Sequence, residues 1–144
     1  MGEARKDALV SQLRAAFKKR KEVAGVFLFG SYGTEYETKF SDIDLGVVFL
    51  PEMKIGLTEE LDLDAFLSLE LGTDKLDVVN LNKAPIQLRF NAISQGELIY
   101  EADFIATRDF IEETINLYQA SAYHMRKFRE ERLLAIKEAY SDGK

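Results

Sequence analysis

Two aspartates one residue apart, Asp42 and Asp44, open the apolar run that continues through Leu45 to Phe49. Ten residues separate them from a Gly30-Ser31 pair that closes an earlier apolar run ending at Phe29. Side chains along a strand alternate between faces, so Asp42 and Asp44 point the same way. Two carboxylates held side by side repel unless a cation lies between them, and their hard oxygens suit Mg2+. A Gly-Ser turn beside them offers backbone N–H groups and a hydroxyl to a phosphate. Singly these are ordinary features: Gly-Ser is common turn chemistry, and Asp-x-Asp is often a solvated strand end or helix cap. In this order, between apolar strands, they read as a phosphate cradle beside a metal site, which is nucleotide chemistry.

Those groups need an apolar scaffold, and the chain supplies one. Residues 6–21 carry Leu9, Leu13, Ala16 and Phe17 at helical spacing, with cations near the end that suit the helix dipole. Val23–Phe29 and Ile43–Leu50 read as strands, the second stopped by Pro51. Thr58 resembles an N-cap for a helix running to Leu71, with Gly72 in the C-terminal capping position. Leu76–Leu81 reads as a third strand. A helix over Ala84–Ser94 follows, with Pro85 at its first turn and Gly96 closing it, and then a short edge strand over Leu98–Tyr100. From Ala102 to Ser141 there is neither Gly nor Pro. Ile111, Ile115, Tyr118, Ala122 and Met125 step by four and three, and Leu133, Ile136 and Tyr140 extend the helical stripe. The expected architecture is an α/β (α+β) fold: a small mixed sheet, flanking helices and a long C-terminal helical segment.

The chain has 144 residues, 47% hydrophobic and 31% charged, without a low-complexity stretch. One domain is expected over 1–144, with a core at about 8–100 and a helical extension at about 102–141. The absence of cysteine removes disulfides and thiolate metal sites, and no run approaches the length of a membrane span. A cytoplasmic location is the expectation. The net charge of −6 argues against binding long nucleic acids, which takes a cationic surface, but leaves a metal-bound nucleotide as a substrate. His124 is the single histidine, so imidazole-based schemes lack material, and Ser31 has no base partner to make it a nucleophile.

The arrangement of strand, Gly30-Ser31, spacer, Asp42-x-Asp44 and next strand resembles the nucleotidyltransferase superfamily that includes DNA polymerase beta. The resemblance implies a third carboxylate on a later strand, and Asp77, within Lys75-Leu-Asp-Val-Val-Asn-Leu81, is the candidate. Its bland alternative is a rim residue paired with a lysine. Asp62, Asp64 and Asp74 are weaker candidates, and Lys39 and Lys75 lie near enough to touch phosphate. The stretch from Asp77-Val-Val through Leu81-Asn-Lys-Ala-Pro85, with Gly96-Glu-Leu-Ile-Tyr100 after it, is similar to the MNT-type minimal nucleotidyltransferases over roughly residues 8–120. Where relatives follow the Gly-Ser with a small residue, Arg and Gly, this chain has Gly33-Thr34-Glu35. Thr34 cannot supply an arginine's fork of donors.

The resemblance implies a Mg2+-dependent, two-ion nucleotidyltransferase with Asp42, Asp44 and Asp77 as metal-holding catalytic residues and Gly30 and Ser31 as nucleotide-binding residues. It implies ATP as substrate and a HEPN-domain toxin as hetero-oligomeric partner, whose tyrosine would accept AMP. Two alternatives stay open. One is an antitoxin that neutralises by binding alone; the other is a small-molecule nucleotidyltransferase, which lacks a substrate domain in so short a chain.

Overall fold

The computed structural model describes residues 2–29 and 43–142, with side chains over 4–29 and 43–140. Its elements are α1 (Gly2–Phe17), β1 (Val23–Phe29), β2 (Ile43–Phe49), α2 (Leu57–Leu71), β3 (Leu76–Asn80), α3 (Ile86–Gln95), β4 (Glu97–Glu101) and α4 (Phe104–Asp142). The four strands form one sheet in the order β3-β2-β1-β4, with β1 antiparallel to β2 and β4, and β2 parallel to β3. The mixed α/β fold expected from the sequence is present.

Central β1 and β2 are apolar on both sides because both faces are covered. On one face Leu9, Leu13, Ala16 and Phe17 of α1 and Leu63 and Leu67 of α2 pack on Val26, Leu28, Leu45, Val47 and Ile99. On the other, Ala92 of α3 and Phe110 of α4 pack on Ala24, Phe27 and Val48. The result is three layers, α1/α2, sheet, α3/α4. Two polar contacts tie them. Arg14 Nε donates to the Ile99 carbonyl at 2.6 Å, and the buried Thr107 Oγ1 donates to the Ala24 carbonyl of β1 at 3.4 Å.

Several element ends differ from the sequence reading, each for a local reason. The first helix stops at Phe17, not residue 21, because Arg20 turns inward. Its guanidinium bonds Glu22 at 2.8 Å and Asp62 of α2 at 2.7 Å, and lies 4.9 Å from the centre of the Phe66 ring. Burial lowers the Arg20 pKa, but hydrogen bonds to Asp62 and Glu22 outweigh this and raise it. Gly56, not Thr58, precedes α2, and its N–H donates to Glu59 Oε1 at 3.0 Å. Gly72 does end that helix, at φ 68, a left-handed conformation that costs a glycine little. Pro85 is the residue before α3 rather than its first, which runs to Gln95. Leu50 and Leu81 fall outside their strands, β4 gains Glu97 and Glu101, and α4 starts at Phe104 after Asp103, whose Oδ1 accepts the Ala106 N–H at 2.9 Å.

Gly46 marks the tightest place in the central strands. A Cβ there would lie 2.7 Å from Leu81 Cδ1, 2.9 Å from Leu81 Cγ and 3.1 Å from the Phe29 ring. Leu81 is fully buried and cannot swing aside. Gly46→Ala is expected to lower unfolding free energy by about 1–3 kcal/mol through overpacking. Urea denaturation followed by far-UV circular dichroism measures it, and an unchanged midpoint would mean that Leu81 and Phe29 yield freely.

Candidate functional site

Parallel pairing of β2 with β3 decides where the acids meet. In register Ile43 stands beside Leu76, Asp44 beside Asp77 and Leu45 beside Val78. Adjacent strands lie about 4.8 Å apart, so the two carboxylates leave neighbouring backbones as a pair. The alternation of each strand fixes their face. Ile43, Leu45, Leu76 and Val78 belong to the α1/α2 side, whereas Val48 and Val79 belong to the α3/α4 side. Asp44 and Asp77 share the latter, Asp44 half-buried and Asp77 exposed. On its other flank Asp44 is in register with Phe29, the last residue of β1. The Ile43 N–H donates to the Lys75 carbonyl at 2.9 Å, which pins the start of β3 to the start of β2.

The site therefore stands at the sheet end where β1 finishes and β2 and β3 begin. Asp42, Gly30 and Ser31, like Lys39 and the Gly33-Thr34-Glu35 departure, lie outside the described residues. Among the described residues no three His, Cys, Asp or Glu side chains converge as a metal cluster. The donor set that is described is nonetheless of the right kind for Mg2+: two carboxylates on adjacent strands, one open to solvent.

The weaker acid candidates go elsewhere. Asp62 on α2 pairs with Arg20, and Asp74 is exposed in the turn before β3. His124 lies exposed on α4 beside Tyr123. A cavity of about 210 Å³ lined by Phe49, Pro51, Met53, Asn80 and Lys83 sits at the opposite end of β2 and β3 from the acids. Asn82 and Arg89, to which the sequence pattern assigns no task, hold main-chain groups at that far end. Asn82 Oδ1 accepts the Phe49 N–H at 2.8 Å, and Arg89 donates to the carbonyls of Asn82 and Ala84 at 2.6 and 3.0 Å. The Leu81-Asn-Lys-Ala-Pro85 stretch is thus a hydrogen-bonded clasp between β2 and α3. A polar residue directly after an apolar strand was the signal for it.

Comparison with known proteins agrees with this fold. The family profile described as "Polymerase beta, Nucleotidyltransferase" matches residues 11–105, well over half of the chain. Curated proteins provide no match to the sequence. Among solved structures, a chain of a toxin–antitoxin complex with AMP-PNP is similar at TM-score 0.68 and 21% identity, over 86% of this chain and 98% of that one. A chain from the MntA–HepT toxin–antitoxin gives 0.63 and 19%, over 86% and 96%. A third belongs to a tri-AMPylated Shewanella oneidensis HEPN toxin in complex with an MNT antitoxin. It gives 0.61 and 22%, over 92% and 99%.

Like charges side by side on neighbouring strands destabilise by a few tenths of a kcal/mol to about 1 kcal/mol. In metal-free buffer Asp77→Asn is expected to raise the melting temperature slightly, because it removes one of the two charges while keeping the shape. Scanning calorimetry with and without chelator checks this. A lowered melting temperature would mean that the Asp77 charge is held by a stabilising partner.

Proposed function

Because this chain belongs to the polymerase beta nucleotidyltransferase family, we propose that it transfers AMP from ATP to a tyrosine hydroxyl of a HEPN-domain toxin and so silences it. The observation that carries the reading is the register adjacency of Asp44 and Asp77 at the open end of the sheet. The similar chains from toxin–antitoxin complexes, one with AMP-PNP and one with a tri-AMPylated toxin, support the substrate and the partner. A further similar chain comes from an MntA complex carrying two Asp→Glu changes two positions apart, the spacing of Asp42 and Asp44 here.

In the proposed reaction the tyrosine oxygen attacks the α-phosphorus of ATP, the bond to the bridging oxygen breaks and pyrophosphate leaves. Asp42, Asp44 and Asp77 would hold Mg2+, which supplies charge neutralisation for the triphosphate and the leaving group. Gly30 and Ser31 cradle the phosphates: the glycine lets the backbone approach and the serine hydroxyl donates. Asp77, exposed at the rim, stands on the acceptor side and favours loss of the hydroxyl proton. The strand register holds Asp44 and Asp77 before substrate arrives, so orientation rather than covalent chemistry is the protein's contribution. Cytoplasm, where ATP and Mg2+ are abundant, is the location that accompanies this reading. No helix among the described residues is long and apolar enough to cross a membrane.

The test is the intact mass of a co-expressed HEPN-domain protein after incubation with this chain, ATP and Mg2+. Increments of AMP are expected, and Asp44→Asn combined with Asp77→Asn should reduce their rate by at least about a hundredfold. Chelation should abolish them. A neutralised toxin with unchanged mass would replace this reading with neutralisation by occlusion.

A further inference from the structure

The stripe along α4 that packs on the body keeps going after the body ends. Thr107, Phe110 and Thr114 are buried against the sheet and α3, and Tyr118 stacks on Phe90 of α3 with ring centroids 3.7 Å apart. Gln87, at the start of α3, shares a shallow groove with Tyr118, Ala122, Met125 and Arg129. Beyond it α4 has no neighbour among the described residues, and every residue from 122 to 140 is exposed. The same face continues in steps of three and four through Met125, Arg129, Arg132, Ile136 and Tyr140, with Phe128 and Leu133 beside it. Met125, Phe128 and Leu133 are 59%, 61% and 58% exposed, so nothing among the described residues covers them.

Its charges make this face unusual. The neighbours of Arg129 three and four residues away are Met125, Arg126, Arg132 and Leu133; those of Arg132 are Phe128, Arg129, Ala135 and Ile136. Neither arginine has a carboxylate in helical reach, and neither forms an ion pair with a described residue. The glutamates of this stretch, Glu131 and Glu138, project from the opposite side, and Glu130 from the flank. An apolar face with two guanidinium groups at its centre calls for an apolar groove that holds carboxylates at fixed positions.

That requirement selects among occupants. A second copy fits poorly: antiparallel pairing that sets Met125 against Leu133 also sets Arg129 against Arg129 and Arg126 against Arg132, and parallel pairing opposes each arginine to itself. A bilayer would bury both arginines in the middle of the inserted face, whereas membrane-lying helices keep cations on the polar side. A protein can meet them with bidentate carboxylates. We propose that residues 118–140 of α4 form the docking surface for the acceptor protein, inserted into an acidic, apolar-lined groove of that protein through Arg129 and Arg132. The identity of the occupant rests on the transferase reading above; the acidic-groove chemistry rests on α4 itself.

The experiment measures affinity for the co-expressed HEPN-domain protein by isothermal titration calorimetry, using wild type, Arg129→Glu/Arg132→Glu, the back-face control Lys127→Glu, and Asp44→Asn/Asp77→Asn. The double arginine variant is expected to bind about a hundredfold more weakly with unchanged helicity and melting temperature, because both side chains are exposed and form no ion pair with a described residue. Lys127→Glu should bind like wild type. Unchanged affinity in the double arginine variant would overturn the proposal. So would a wild-type dimer that this variant dissolves, or binding to phosphatidylserine vesicles that it abolishes. Asp44→Asn/Asp77→Asn separates the two readings. Retained binding without AMP transfer supports both, and undiminished AMP transfer would remove the proposed site while leaving the docking surface standing.

Discussion

Parallel pairing between β2 and β3 is the constraint on which the candidate site depends. It sets two carboxylates on neighbouring backbones, an arrangement that folding alone does not favour. The surrounding structure absorbs that cost. Parallel strands need a crossover, and α2 supplies it, buried through Leu63 and Leu67 against the sheet. The register is then specified by burial, since a slip of one residue would turn Asp44 and Asp77 into the α1/α2 core and expel Leu45 and Val78. Apolar packing on one face thereby holds acids in place on the other.

Much of the fold was legible because its signals are local. The runs Val23–Phe29 and Ile43–Phe49 are too apolar for a one-sided sheet, which already implied cover on both faces. The α4 stripe was readable from its spacing alone. Ends were less legible where a long-range contact overrode the local pattern. Residues 18–21 look helical by composition, yet Arg20 is worth more bridging Glu22 and Asp62 than extending α1. Thr58 looks like a cap, but Glu59 reaches back to the Gly56 N–H and starts α2 two residues earlier.

The candidate site divides in the same way. Asp77 as the companion of Asp44 was accessible from the sequence only through family resemblance, because spacing cannot state which strands pair or in what register. Asn82 and Arg89 show the complementary case. Their work is to bond main-chain groups at Phe49, Asn82 and Ala84, and such contacts leave no periodic trace in a sequence.

The bond from Arg14 to the Ile99 carbonyl has a consequence for solubility. β4 is an outer strand, and an outer strand with free carbonyls is a template for another strand to join. Arg14 occupies the Ile99 oxygen from the side, Lys6 of α1 pairs with Glu97 at 2.7 Å at one end of the strand, and Glu101 places a negative charge at the other. Edge-to-edge pairing along β4 is blocked at its middle, covered by the Lys6 side chain at one tip and repelled by charge at the other. The chain can thus carry a broad exposed apolar helix without also offering the β4 edge of its sheet to neighbours.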